Sequence, residues 1–366
     1  MLNNKTIAVV VPCYNEAKQI KIVLDSMPDF VDRIIIVDDA SIDDTAGVVM
    51  KNLKENNSPL SITSNITKEI VPNLYNRADI EVKQKSIDEI KKFTPIEILN
   101  TNPENEKTIV IKHLVNGGVG AAIATGYKWC KDHDIDCTAV MAGDGQMDPD
   151  ELESICNPVI QEGIDYVKGN RLIHKSAWVI IPRVRFLGNS ILSILTKIAS
   201  GYWGVSDTQS GYTAISNNAL NSVPLYDIYK RYGMPNDLLV KLNIAFCTIR
   251  EVKIKPIYGV GEKSKLNIIK VSLPILLLLI RSFFKRLQTK YLYRSFHPLY
   301  LLYWTSFIIA TINIYFFYQL VVNFINPDSK TPTDYLIIFI FLTISGFQSF
   351  LFAMWMDIQD NERLSK

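Results

Sequence analysis

Residues 7–16 read IAVVVPCYNE. The apolar run Ile7–Val11 stops at Pro12 and passes into polar residues. It is too short for the apolar region of a secretory signal peptide. An unbroken apolar run of this length is what a strand buried on both faces requires. Ile34–Val37, Ile109–Ile111 and Thr138–Met141 repeat the pattern. Between these runs, Glu16–Met27, Asp43–Leu53 and Gly120–His133 carry helical patterning. This alternation predicts an α/β fold, a parallel sheet with helices on both faces. Asp148-Pro149-Asp150-Glu151 predicts a further helix start, with Asp148 as N-cap, Pro149 as first helical residue and Glu151 as reciprocal partner.

The chain has 366 residues, 48% hydrophobic and 21% charged, with 39 Lys+Arg against 37 Asp+Glu and a net charge of +2. At ~150 residues per domain, this length predicts about two units. The charge balance excludes a nucleic-acid binder with a strongly basic body. The apolar fraction excludes a disordered chain. Cys13, Cys130, Cys137, Cys156 and Cys247 form no CxxC pair and no Cys/His metal spacing. They read as free thiols in a reducing compartment, which makes the sequons Asn4-Lys5-Thr6 and Asn65-Ile66-Thr67 chance matches.

The last quarter reads as membrane. No Asp, Glu, Lys, Arg or His occurs from Pro298 to Pro327. Leu299–Ile325 exceeds the ~20 residues needed to cross the hydrocarbon, and Tyr335–Met356 is also charge-free and long enough. The polar stretch Asn326–Asp334, with Pro327 and Pro332, separates them and predicts a transmembrane hairpin. Tyr300, Tyr303, Trp304, Tyr335 and Trp355 fall near the span ends, as interfacial aromatics do. Val271–Ile280 is apolar but too short to span, and Arg281, Lys285, Arg286, Lys290 and Arg294 follow it. That combination predicts helices lying in the membrane interface. The positive-inside rule then places the soluble domain and the tail in the cytoplasm. The expected boundaries are 1–262 for the soluble domain, 263–297 for interfacial helices, 298–358 for the two spans and 359–366 for a cytosolic tail. Residues 54–106 are polar and weakly periodic, and read as an inserted excursion in which Ile87–Phe93 forms a short amphipathic helix.

Ligands of open α/β sheets bind outside the carboxyl ends of the strands. The polar clusters lie at those ends: Pro12-Cys13-Tyr14-Asn15-Glu16, Asp38-Asp39-Ala40-Ser41 and Gly143-Asp144-Gly145-Gln146-Met147-Asp148. Carboxylates with a side-chain carbonyl suit Mg²⁺ or Mn²⁺, and such a cation would hold a diphosphate. Asn116-Gly117-Gly118-Val119-Gly120-Ala121-Ala122 leads into a helix, and its small residues admit a backbone or a ligand. It matches neither GxGxxG nor a P-loop, so neither a dinucleotide dehydrogenase nor a P-loop NTPase is supported.

The motifs PCYNE, VDDASIDDT, NGGVGAAIATGY, AGDGQMDPDE and SDTQSGY occur in this order. Together they resemble family-2 glycosyltransferases of the GT-A fold, in the dolichol-phosphate mannose synthase-like, polyprenyl-phosphate branch. The resemblance covers about residues 6–265, apart from the excursion. It implies a GT-A (Rossmann-like), mostly parallel sheet flanked by helices. It implies inverting transfer of a sugar from a GDP- or UDP-sugar to undecaprenyl or dolichyl phosphate. Pro12, Tyr14, Glu16, Asp39, Gly117, Gly118 and Asp144 would meet the nucleotide sugar, and Asp144 and Gln146 a Mg²⁺ or Mn²⁺ cofactor. Arg171, Lys263 and Lys265 would meet the acceptor phosphate. Asp144 and Arg171 complete a catalytic set with Asp207 and Asp237, the candidates for orienting donor or acceptor hydroxyls. The implied partners are a nucleotide sugar, a polyprenyl phosphate and the bilayer, with no nucleic acid; self-association is left open. His113, His133 and His174 read as surface or strand-end residues.

Departures from the pattern are Ala142 at the first Asp of the family's DxD, Thr213 where an Arg is usual, and Tyr258 near the end motif. They keep two alternatives open: transfer to a lipid-linked saccharide or nascent polysaccharide, and an inactive scaffold.

Overall fold

The computed structural model describes residues 1–55, 71–258, 268–326 and 332–366. An eight-stranded sheet has the order β3-β4-β2-β1-β5-β7-β6-β8. The strands are β1 Ile7–Cys13, β2 Arg33–Asp38, β3 Ile96–Ile98, β4 Thr108–His113, β5 Cys137–Val140, β6 Tyr166–Asn170, β7 Thr213–Ser216 and β8 Ile249–Lys253. β4, β2, β1 and β5 run parallel, as do β6 and β8. β3 and β7 run antiparallel to their neighbours, so the sheet is mixed.

Helices α1 Ile20–Asp25, α2 Thr45–Glu55, α3 Arg77–Glu89, α4 Val119–Asp132, α5 Leu152–Glu162 and α6 Ala177–Ile180 precede the longer α7 Arg183–Ser200. α8 Asn217–Ser222, α9 Met234–Ile244, α10 Ile268–Gln288, α11 Pro298–Ile325 and α12 Thr333–Glu362 follow.

The unbroken apolar run of β1 has a simple cause. Ala8 and Val10 pack into one core with Ala122, Tyr127 and Leu238. Ile7, Val9 and Val11 pack into the other with Ile20, Val23, Leu152 and Ile155. Both faces are dry, so alternation is lost, and each fully buried Val or Ile contributes ~1.5–3 kcal/mol.

Residues 54–106 were expected as an inserted excursion; 56–70 lie outside the described residues. The last part of 54–106 returns to the sheet as edge strand β3, with Ile96 opposite His113 and Ile98 opposite Ile111. The helix expected at Ile87–Phe93 begins earlier, as α3, and closes in a 3₁₀ turn at Ile90–Lys92. At the start of α5, Asp148 caps as expected, accepting the Asp150 N–H at 3.0 Å. Glu151 does not reciprocate. Its carboxylate accepts the Lys255 N–H at 2.9 Å, a tertiary partner in place of the local one.

α11 and α12 are 28 and 30 residues long, apolar enough to cross a membrane, and mostly unburied within the chain. They pack against each other through Ser306, whose hydroxyl donates to the Gly346 carbonyl at 3.0 Å. The turn at 327–331 lies outside the described residues. Val271–Ile280 is part of one continuous helix, α10, that runs through the basic cluster.

That cluster divides in two. Arg281, Lys285 and Arg294 are exposed, whereas Arg286 and Lys290 are fully buried. Arg286 forks onto Asp357 of α12 at 2.7 and 2.8 Å and donates to the Ala199 carbonyl at 2.9 Å. Lys290 donates to Asn243 at 3.0 Å and to Asn361 at 2.5 Å. These two cations therefore join the end of the hairpin to α7 and α9 and do not face lipid. The tail after α12 is also tied down. Ile249 of β8 donates its N–H to Leu364 at 2.7 Å, and Lys366 donates back to Ile249 at 2.9 Å.

Arg286→Ala leaves the Asp357 carboxylate buried and unpaired. A loss of ~3–5 kcal/mol is expected in detergent unfolding. Arg286→Met combined with Asp357→Leu should recover most of it.

Candidate active site

The loops after β1 and β2 are stitched into one surface. Asn15 donates its N–H to Ser41 Oγ at 2.9 Å and accepts the Ile42 N–H at 2.8 Å. Glu16 donates its N–H to Thr45 Oγ1 at 3.0 Å. Asn15 and Ala40 hold left-handed backbone (φ +56° and +57°), bends that turn each strand end across the top of the sheet. Pro12 is buried in β1, and Tyr14 and Glu16 emerge half-buried beside it.

Asp39 lies at the centre. It is 3% exposed. Its Oδ1 accepts from Gly117 N–H at 2.8 Å and meets His113 Nδ1 at 2.7 Å, and its Oδ2 accepts from Gly118 N–H at 2.7 Å. His113 Nε2 reaches Thr125 Oγ1 of α4 at 2.9 Å. Burial pushes the Asp39 carboxyl up, but hydrogen bonds from His113 and the two glycine amides outweigh it and hold the group below its ordinary value. Asp39 thus ties the end of β2 to the start of α4.

The Gly117 and Gly118 amides bind Asp39. The small residues admit a backbone: Gly120 N–H donates to the Lys230 carbonyl at 2.9 Å, and a Cβ on Gly120 would lie 2.1 Å from the Tyr229 carbonyl oxygen. Gly118, at φ +90°, holds a conformation that L side chains rarely adopt. His113 is a strand-end residue, the last of β4, and it is fully buried behind Asp39. His133 stacks on Trp129 with centroids 3.7 Å apart, and His174 bonds Ser176 at 2.7 Å.

After β5, Asp144 is half-buried and its Oδ1 accepts the Gln146 N–H at 3.0 Å across Gly145 (φ +74°). Asp148 is engaged by Lys255 at 2.9 Å. Among the described residues, no cluster of three or more His, Cys, Asp or Glu could hold a metal alone.

After β6, Arg171 forks onto Asp207, with Nε to Oδ2 at 2.8 Å and Nη2 to Oδ1 at 3.1 Å. The Arg171 N–H adds a third bond to Oδ2 at 3.1 Å. Arg171 is 23% exposed by side chain and Asp207 not at all. Burial pushes Asp207 up, but the charge and hydrogen bonds of Arg171 hold it below the usual range. Lys168 is buried beneath them, donates to the Ser210 carbonyl and is pushed down to about 8 by burial. Asp207 is thus fully buried against Arg171 and its surroundings. Asp237 is likewise engaged, by Lys241 at 2.5 Å and by the Tyr229 N–H at 2.8 Å. Lys263 and Lys265 lie outside the described residues.

The model of "Glycosyl transferase family 2" matches residues 8–68 and 85–223. The chain belongs to this family. The matched region carries β1 to β7 and the Asp39, Asp144, Arg171 and Asp207 sites, and the fold is GT-A. Among curated relatives, the UDP-N-acetylglucosamine–dolichyl-phosphate N-acetylglucosaminyltransferase of Methanococcus voltae is 32% identical over 256 residues, covering 70% of this chain and 87% of that protein. An uncharacterized protein of Methanocaldococcus jannaschii is 26% identical over 259 residues, covering 70% of this chain and 84% of that protein. Among solved structures, the UDP complex of glucosyl-3-phosphoglycerate synthase from Mycobacterium tuberculosis aligns with a TM-score of 0.47 and 19% identity, over 77% of this chain and 80% of that one. As a member of family 2, the protein is a glycosyltransferase.

Two residues that hold this site gave no local signal, because their partners lie far off in sequence: His113, and Glu251, which accepts the Ser206 and Asp207 N–H groups at 2.8 and 2.9 Å. His113→Phe should cost ~1–3 kcal/mol in denaturant unfolding, since Asp39 and Thr125 each lose a buried partner. Asp39→Asn should give a stability gap with a defined pH window. A carboxyl with a lowered folded pKa contributes fully above its unfolded value of ~3.9, and the contribution is lost as pH falls through the folded value. The gap between wild type and Asp39→Asn should hold steady above about pH 5 and narrow below ~3.9.

Proposed function

We propose that the protein transfers a sugar from a UDP-sugar to the phosphate of a dolichyl-type polyprenyl lipid, with inversion, at the cytoplasmic face of a membrane. The state of Asp207 and Asp237 carries this reading. A hydroxyl acceptor needs a general base, and both carboxylates considered for that role are committed to ion pairs. A phosphate monoester needs none, because its second pKa of ~6 makes it an anion already. The activity of the M. voltae relative supports both the lipid phosphate and the UDP donor, and UDP-N-acetylglucosamine is the donor to try first.

The residues divide the work. Asp39 fixes the floor on which the nucleotide rests, and Pro12, Tyr14 and Glu16 border it. Arg171 spends two side-chain N–H groups on Asp207, and a guanidinium's other three can bind phosphate oxygens. Its planar fork is oriented before substrate arrives, so little reorganisation accompanies charge transfer to the leaving diphosphate. Asp144 and the Gln146 side-chain carbonyl would hold Mg²⁺ or Mn²⁺. One carboxylate and one amide, with Ala142 where a second carboxylate would stand, suit a cation that takes its remaining ligands from phosphates and water. Such a cation would neutralise charge on the diphosphate.

The membrane supplies the acceptor. The hairpin places the domain at the surface, and two exposed apolar faces extend the seat: Trp178, Leu187, Ile191 and Ile194 on α6 and α7, and Leu273, Leu277 and Ile280 on α10. Exposed Arg281, Lys285 and Arg294 favour anionic lipid on that side.

The test is a lipid-product assay with purified protein, dolichyl or undecaprenyl phosphate, Mg²⁺ or Mn²⁺, and labelled nucleotide sugars offered singly. Label should enter the organic phase with a UDP-sugar. Asp144→Ala should lower kcat by ~10²-fold or more. Full transfer by Asp144→Ala would sink this reading. Nucleotide binding without transfer to any lipid phosphate would return weight to a saccharide acceptor or an inactive scaffold.

A further inference from the structure

The segment from Gly201 to Asp207 leads from α7 to the turn that presents Asp207 to Arg171. Later parts of the chain grip it along its length. At Gly201, a Cβ would lie 2.7 Å from Arg286 Nη1 and 3.1 Å from Asn361 Nδ2, so α10 and α12 close over that residue. Tyr202 donates its hydroxyl to the Cys247 carbonyl at 2.6 Å. At Gly204, a Cβ would lie 3.3 Å from Ser365 Oγ, so the tail lies against it. Ser206 and Asp207 donate their N–H groups to Glu251 Oε1 at 2.8 and 2.9 Å. Glu251 Oε2 accepts from Asn170 Nδ2 at 2.7 Å. Asn170 Oδ1 in turn accepts the Leu172 N–H at 2.8 Å. One carboxylate on β8 therefore ties the Asp207 turn to the end of β6, beside Arg171. The tail pairs with that same strand at Ile249.

We propose that Glu251 and the tail Leu364–Lys366 form a positioning device for the Arg171–Asp207 fork, so that the inner end of the membrane hairpin sets the geometry of the phosphate-binding arginine. This rests on the reading of Arg171 given above. The tail and β8 both lie beyond residue 223, where the family match ends. Glu251 cannot be replaced by its amide without loss. In Glu251→Gln one oxygen becomes an NH₂, which faces either the two backbone N–H donors or Asn170 Nδ2. Asn170 cannot turn over to receive it, because its oxygen already holds Leu172.

The experiment uses the full chain, Glu251→Gln and a chain ending at Arg363, each purified in detergent. Amide hydrogen exchange at Arg171, Ser206 and Asp207 should quicken by about tenfold or more in both variants. Where turnover is measured with dolichyl phosphate, kcat should fall by about tenfold or more, and in an Arg171→Lys background neither change should add to the loss. Unchanged exchange at Ser206 and Asp207 overturns the proposal, whatever the turnover. So does a kcat loss that multiplies fully with Arg171→Lys, which would report general weakening. Absence of turnover in the unmodified chain counts against the proposed reaction instead, and the exchange measurement still decides the positioning device.

Discussion

A sheet that is dry on both faces has room for polar chemistry only where its strands stop. Ile7, Val9 and Val11 face one core of this protein, and Ala8 and Val10 face the other. No charged side chain could sit along β1 without burial in hydrocarbon on either side. The consequence is visible at the next residues, where Pro12 ends the run and Tyr14, Asn15 and Glu16 open the crevice. Asp39, Asp144 and Arg171 follow the ends of β2, β5 and β6 for the same reason. The site is the strand-end rim of a doubly covered sheet, and the covering helices force it there.

Once the chemistry is confined to the rim, something must hold the loops still. Two carboxylates do so without being exposed. Asp39 spans β2 and α4 through two glycine amides and His113. Asp207 spans the SDTQSGY turn and β6 through Arg171. In each case the acid is satisfied by several donors, which stabilises its charged form against burial. The partner groups gain direction in exchange: a glycine loop pinned at one end, and a guanidinium plane fixed at the other.

Much of this was legible in the sequence, and the exceptions share a cause. Strands β1, β2, β4 and β5 were readable because burial on both faces writes an unbroken apolar run. Strand β3 was not, because Ile96-Glu97-Ile98 is short and exposed, and its existence depends on pairing with β4. The antiparallel insertion of β7 between β5 and β6 is likewise a matter of register, which no local pattern encodes. At the site, Asp39, Asp144 and Arg171 stood out by their motifs, and their strand-end positions were correctly anticipated. Their holders did not stand out: His113 lies 74 residues from Asp39, and Arg286 lies 71 residues from Asp357. A basic cluster beside an apolar helix looks the same in sequence whether its cations face lipid headgroups or a buried carboxylate. Only the tertiary partner separates Arg286 from Arg281.

That partner also explains why an apolar hairpin ends in charge. A buried Arg–Asp fork adds little stability compared with a well-packed apolar pair of the same volume, because desolvation consumes most of the attraction. What it adds is register. Asp357 must meet two guanidinium nitrogens while the same guanidinium reaches the Ile198 and Ala199 carbonyls. A helix turned by one residue, about 100°, would break all of these bonds and bury both charges unpaired. α11 and α12 pack on each other by apolar contacts and small residues, and their rotation against the rest of the chain needs a directional anchor, which the fork shares with the Lys290–Asn361 and Asn243–Asn361 bonds. The fork supplies it at the point where α12 leaves its apolar stretch, three residues before Asp360 and four before Asn361. From there the tail reaches β8 in a defined register, and the apolar hairpin and the strand-end rim are held in one frame.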